Sequence, residues 1–241
     1  MASVASIGSG FDAEVKACAA ALQSAQKRTR VAFFLSMAAS CIVVLMVLNL
    51  WESRRFLNTL SKNYAESSEY LKEYSKHIAD NSFYQLPALG IQITCDDVGI
   101  LGPLALLVFS FYSLIAFKAS YCQVKCATKG PFEGSPLIRA LLEAEQPLEQ
   151  PLCRRLYFIL RAFLFLPFGA CVVVACYVIV AHFLDPLHID SLPEIAANLS
   201  MAKKIDALGW VLALLVFLYN RQTFLLWQET KTQAADCIRR H

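Results

Sequence analysis

Between Phe11 and Ile78, apolar or small residues return at alternating steps of four and three. They run Phe11, Val15, Cys18, Leu22 and Ala25 ahead of a long apolar block. Through the block they are Ala32, Ser36, Ala39, Val43, Met46 and Leu50, and beyond it Leu57, Leu60, Tyr64, Leu71, Tyr74 and Ile78. Thr29, Ser53 and Ser67 are the weak members of the series. A seven-residue repeat held this long predicts one helix with a single stripe along one side. At about 1.5 Å per residue such a helix is on the order of 100 Å long, far more than one bilayer. The pattern therefore predicts a first helix that starts on one side of a membrane, crosses it and stands out on the other.

Four apolar blocks follow the chain: 31–50, 98–117, 162–184 and 205–220. The first three reach the roughly 20 residues that a hydrocarbon core requires. The fourth is short, and needs Arg221 to snorkel toward the headgroups and Phe224–Trp227 to sit at the interface. Between the first two blocks, 52–80 reads as an amphipathic extramembrane helix. Leu86–Pro87 and Gly90 then break it, and Ile91–Thr94 reads as a short extended piece. After the second block the helix is expected to run to Lys129, and Leu137–Glu145 reads as a short amphipathic helix in a connecting segment, 118–161. Pro167 kinks the third span or marks a deeper start. Ser191-Leu-Pro-Glu194 forms a capping box and predicts a separate short helix near 192–203. The resulting expectation is an all-α integral membrane four-helix bundle: a disordered tail at 1–10, then one four-span domain over 11–241. Asp12 and Glu14 are expected in the first helical turn, facing the positive end of the helix dipole.

Composition supports the membrane reading. The chain is 57% hydrophobic and only 17% charged, with a mean hydropathy of +0.48, too apolar for an ordinary soluble domain. Its net charge of +3 is small and forms no basic patch interleaved with aromatics, so nucleic acid is not expected as a partner. Lys27, Arg28 and Arg30 flank the first block, basic residues crowd 118–161, and Arg221, Lys231, Arg239 and Arg240 follow the fourth. By the positive-inside rule both termini are expected in the cytoplasm, with Arg54 and Arg55 as the opposing signal. Of the nine cysteines, Cys95 alone falls on the outer side in this topology, so a disulfide framework is not expected.

Within the first block, Ala32, Ser36, Ala39 and Ser40 form a small-residue face. Small residues let helix backbones approach closely in lipid, where no hydrophobic force drives association. This face, continued by Leu57, Leu60, Tyr64, Leu71, Tyr74 and Ile78, is the candidate helix-packing interface. It serves either an external partner or the other spans of the same chain. Candidate metal ligands are restricted to His182, Asp185, His188 and Asp190, at the end of the third block. Imidazole and carboxylate suit divalent metals, but the spacing matches no established motif, and polar residues ending a span are the simpler reading. Cys122 and Cys126 lie one turn apart, as small helix residues, acylation sites or half of a thiolate site. Phosphate-binding glycine loops, HExxH and nucleophile elbows are absent. No carboxylate sits within a span core, which disfavours a coupled transporter. No cofactor is expected.

The run Leu86–Leu106, LPALGIQITCDDVGILGPLAL, resembles a stretch of uncharacterised bacterial multi-span membrane proteins, in which an LPxLGI-type segment precedes a helix starting near a Pro-Leu pair, here Pro103 and Leu104. The resemblance covers 86–118. It implies a bacterial inner (plasma) membrane location and carries no activity. The expected function is a non-enzymatic membrane subunit or scaffold, in contact with the bilayer, that assembles with another membrane protein or with further copies of itself. The alternatives are a homo-oligomeric pore or membrane-disrupting effector, lined by Ser36 and Ser40, and an outer-face metal-dependent enzyme around His182 and His188.

Overall fold

The computed structural model of the protein describes residues 2–64, 83–86, 91–94, 98–129, 132, 134–145, 162–183 and 193–240. In order these form α1 (Ala2–Tyr64), β1 (Phe83–Leu86), β2 (Ile91–Thr94), α2 (Val98–Ala127), α3 (Pro136–Glu145), α4 (Leu166–Phe183) and α5 (Pro193–Arg240). Among the described residues, three helical stretches are long and apolar enough to cross a membrane: Phe11–Glu52 in α1, Val98–Ala127 in α2, and Ala207–Arg240 in α5.

Several boundaries differ from expectation. The tail expected to be disordered at 1–10 is drawn into α1, which starts at Ala2. No proline lies in that stretch, and Gly8 and Gly10 weaken a helix by about 1 kcal/mol each without stopping it. Asp12 and Glu14 are accordingly not in the first turn, which holds no acidic residue. The chain is not purely helical either: β1 and β2 pair antiparallel, Phe83 opposite Thr94 and Leu86 opposite Ile91. The segment 65–80, with Leu71, Tyr74 and Ile78, lies outside the described residues.

α4 begins at Leu166, four residues inside the third block, and runs to Phe183. Residues 162–165 form a turn in which the Phe165 N–H donates to the Ala162 carbonyl at 3.0 Å. Pro167 sits in the first turn of the helix, the position where its missing N–H costs nothing. The fourth block, short by composition, belongs instead to a helix of 48 residues. Pro193 opens that helix as the capping pattern predicts, but the helix near 192–203 does not stop there. Between Glu194 and Leu208 there is neither proline nor glycine, and Asp206 alone does not terminate a helix.

By the clustering of its contacts the chain divides into two units. The first comprises Met1–Met37, Phe109–Leu166 and Phe217–His241; the second comprises Ala38–Val108 and Pro167–Val216. The second has an apolar core of Val43, Val47 and Leu50 from α1, Val98 and Leu106 from α2, Ala170, Cys171 and Val174 from α4, and Ala213 and Val216 from α5. Gly102 sits inside it, where an added Cβ would lie 3.4 Å from Val43 and 3.9 Å from Val174. Trp51 and Tyr177 stand with ring centroids 6.5 Å apart in the same unit. The first unit has a separate apolar core of Leu22, Val124, Ala127, Ile138, Leu142, Ala234 and Cys237, with Cys18 and Phe132 packed against it. α3 enters that core because Ile138 and Leu142 fall one turn apart on one face. Its Ser135 carbonyl accepts the Arg139 N–H at 3.0 Å, and Arg139 pairs with Glu143 at 2.8 Å on the exposed side.

The space at Gly102 admits a methyl group and little more. Gly102→Ala is expected to hold or raise the melting temperature in detergent, because alanine favours the helix by up to about 1 kcal/mol. Gly102→Leu is expected to cost about 1–3 kcal/mol by overpacking the valines. Equal melting of the two variants would contradict the packing described.

Candidate functional site

The α1 stripe is a buried seam within this chain. From Val15 through Leu22, Ala25, Ala32, Ser36 and Ser40 to Val43, Val47 and Leu50 the face is closed off from the surface, Ser40 completely. Cys18, Thr29, Ala39 and Met46 are half-buried along it, and Phe11 at its start is exposed. Large apolar side chains occupy the opposite side, among them Phe34 and Leu45, each 64% exposed. That division suits a helix whose small face packs on its own neighbours and whose bulky face meets lipid. Leu57, Leu60 and Tyr64 belong to α1, but their side chains lie outside the described residues.

In the first unit the seam is held by crossed hydrogen bonds. The Thr29 hydroxyl lies 3.0 Å from the Ala25 carbonyl one turn back and 3.3 Å from the Ala116 carbonyl of α2. From the other side, the Ser113 hydroxyl donates to the Ala32 carbonyl at 3.3 Å. Each helix thus supplies one donor to the other's backbone. Thr29 looked like a weak stripe member because it is polar, yet its hydroxyl is what reaches the backbone of α2. The two bonds also fix the register: Thr29 faces Ala116 and Ala32 faces Ser113, so α1 and α2 run antiparallel.

Buried polar residues gather in this unit: Gln26, Ser36, Ser110, Ser113, Asn220 and Thr223 among them. Thr223 returns its hydroxyl to the Tyr219 carbonyl at 2.9 Å. Gln233 reaches the Tyr121 hydroxyl of α2 at 3.4 Å. Ser113 bonds to the facing helix, whereas Asn49 and Tyr112 are exposed. Ser110 is wholly buried and its hydroxyl has no partner among the described residues.

The candidate metal ligands are not brought together by any described feature. His182 belongs to α4, but its side chain, and the whole of Asp185, His188 and Asp190, lie outside the described residues. Among the described residues no three histidine, cysteine or carboxylate side chains converge as a metal site. The described cysteines differ in access: Cys41, Cys122, Cys126 and Cys176 are exposed, Cys171 and Cys237 buried, and Cys18 half-buried. Burial first, and the neighbouring Cys126 thiol second, push the Cys18 thiol above its ordinary range. A thiol held protonated is a poor nucleophile and a poor metal ligand. The chain finds no match among protein-family models, curated proteins or solved structures.

Two predictions follow from these placements. Ser36→Leu and Ser40→Leu each force a large side chain into a closed seam, and are expected to lower stability by about 1–3 kcal/mol, read as loss of monodisperse protein on gel filtration. Retention of wild-type melting would place this face at the surface. With a maleimide at pH 7.5, mass mapping is expected to show Cys122 and Cys126 modified first, Cys18 slowly and Cys237 last. Early modification of Cys237 would contradict the core around α3.

Proposed function

We propose that this protein is a non-enzymatic, four-span integral membrane subunit or scaffold. Its spans form one bundle, α1 extends beyond the bilayer, and both termini lie in the cytoplasm of a bacterial inner membrane. The observation that carries the reading is the second apolar core, formed by Leu22, Val124, Ala127, Ile138, Leu142, Ala234 and Cys237. Those residues lie outside the four apolar blocks. A chain whose only task was to fill a bilayer has no use for a packed helical assembly beyond it. The exposed part of that assembly, including Leu137 on α3, offers a partner a rigid helical surface joined without a break to spanning helices. The basic residues flanking the blocks, Lys27, Arg28, Arg30, Lys118 and Arg221, are all exposed and support the cytoplasmic assignment.

The pore alternative rested on Ser36 and Ser40 lining a channel between copies. Both are buried within the chain, so the seam lends that reading no support. The candidate partner surface accordingly moves from the α1 stripe to α3 and the last turns of α5.

The test is gentle extraction at native expression, amine crosslinking, and native mass measurement. The reading expects a stoichiometric complex with crosslinks at Lys125, Lys129 or Lys231. Monomers alone, with no intermolecular crosslink, would sink it. A symmetric homo-oligomer would make the partner a second copy.

A further inference from the structure

Among the described residues of the apolar blocks, Ser110 and Asn220 each carry a buried polar atom without a partner. Both are buried, Ser110 to 0% and Asn220 to 4% exposure. The Ser110 hydroxyl and the Asn220 side-chain amide nitrogen have no hydrogen-bond partner among the described residues. In this setting each such group costs about 1–3 kcal/mol. Nearby hydroxyls avoid the cost: Thr29 and Thr223 bond to the carbonyl one turn back. Ser110 does not.

The two lie at one level on facing helices. Their sequence neighbours Phe111 and Tyr219 touch, with ring centroids 5.6 Å apart. Phe111 is exposed and Tyr219 half-buried, which leaves Ser110 and Asn220 on the inner side of that pair. The α1–α2 register brings a third small polar residue to the same level. Ala32 faces Ser113, so one turn further along α1 Ser36 comes level with Ser110. All three belong to the first unit.

We propose that Ser110 and Asn220 bind a water molecule between α2 and α5, beside Ser36 of α1. The Asn220 amide donates to the water oxygen, and the water exchanges a hydrogen bond with the Ser110 hydroxyl. Buried waters occupy sites of this kind, where two to four polar groups converge and small side chains leave room for about 30 Å³. Ser110 and Asn220 each bring a buried polar atom without a partner among the described residues.

The experiment is water-edited solid-state NMR on the ¹⁵N-asparagine-labelled full chain in lipid bilayers, with the Asn220 side-chain signal identified by its loss in Asn220→Leu. Magnetisation is expected to pass from water to the Asn220 side-chain amide, and to fall several-fold in Ser110→Ala. Absence of transfer in the unaltered protein would overturn the proposal by itself, even where Ser110→Ala does not fold. Undiminished transfer in a folded Ser110→Ala protein would also overturn it, because the water would then not be shared.

Discussion

In an apolar surrounding a polar group finds its partner inside the chain or not at all, and the arrangement of the first unit answers to that constraint. Lipid exerts no hydrophobic pull between helices, so α1 and α2 stay together through close approach and bonds to each other's carbonyls. Small residues make the approach possible: Ala25, Ala32 and Ser36 on α1 and Ser113 and Ala116 on α2 are all buried. Once backbones are that close, a threonine or serine hydroxyl can bridge them, as Thr29 and Ser113 do. Bulky residues of the same unit, Phe34 and Phe111, are exposed on the other side.

The two units satisfy different needs with different side chains. The second is filled by branched aliphatics around Gly102, and its stability is a matter of volume. The first combines an apolar core around α3 with a buried polar group of residues around Ser113 and Asn220. Packing errors in the second are expected to appear as lost stability. Errors in the first also leave unpaired polar groups, which cost more per atom.

Much of this was legible in the sequence, and what was not has physical reasons. The seven-residue pattern located the buried face of α1 as far as Leu50, because a helix with a single packed side must repeat in that way. The end of α2 and the start of α3 were legible within two residues, expected at Lys129 and Leu137 and found at Ala127 and Pro136. Hydropathy missed where α4 and α5 start, since it reports how apolar a window is and not where backbone hydrogen bonds begin. Pro167 set the start of α4 inside an apolar window, while nothing between Glu194 and Leu208 stopped α5. The polar residues of the site were harder. Asn220 looked like the end of a span and Thr29 like a gap in a stripe. Both fall on the buried side of their helices, and that spacing was the available signal. The stripe pointed to a partner, but it could not say that the partner was the rest of the same chain.

The crossed bonds of α1 and α2 also limit how these helices can move. One donor comes from each helix, and the two bonds lie within a turn of one another. Sliding α1 along its axis by one turn, about 5.4 Å, would take Thr29 past Ala116 and Ala32 past Ser113, breaking both at once in a medium that offers no replacement. Rotation or tilt about the paired contacts can keep both bonds. A conformational signal carried by this helix pair would therefore travel as a change of angle and not as a piston stroke.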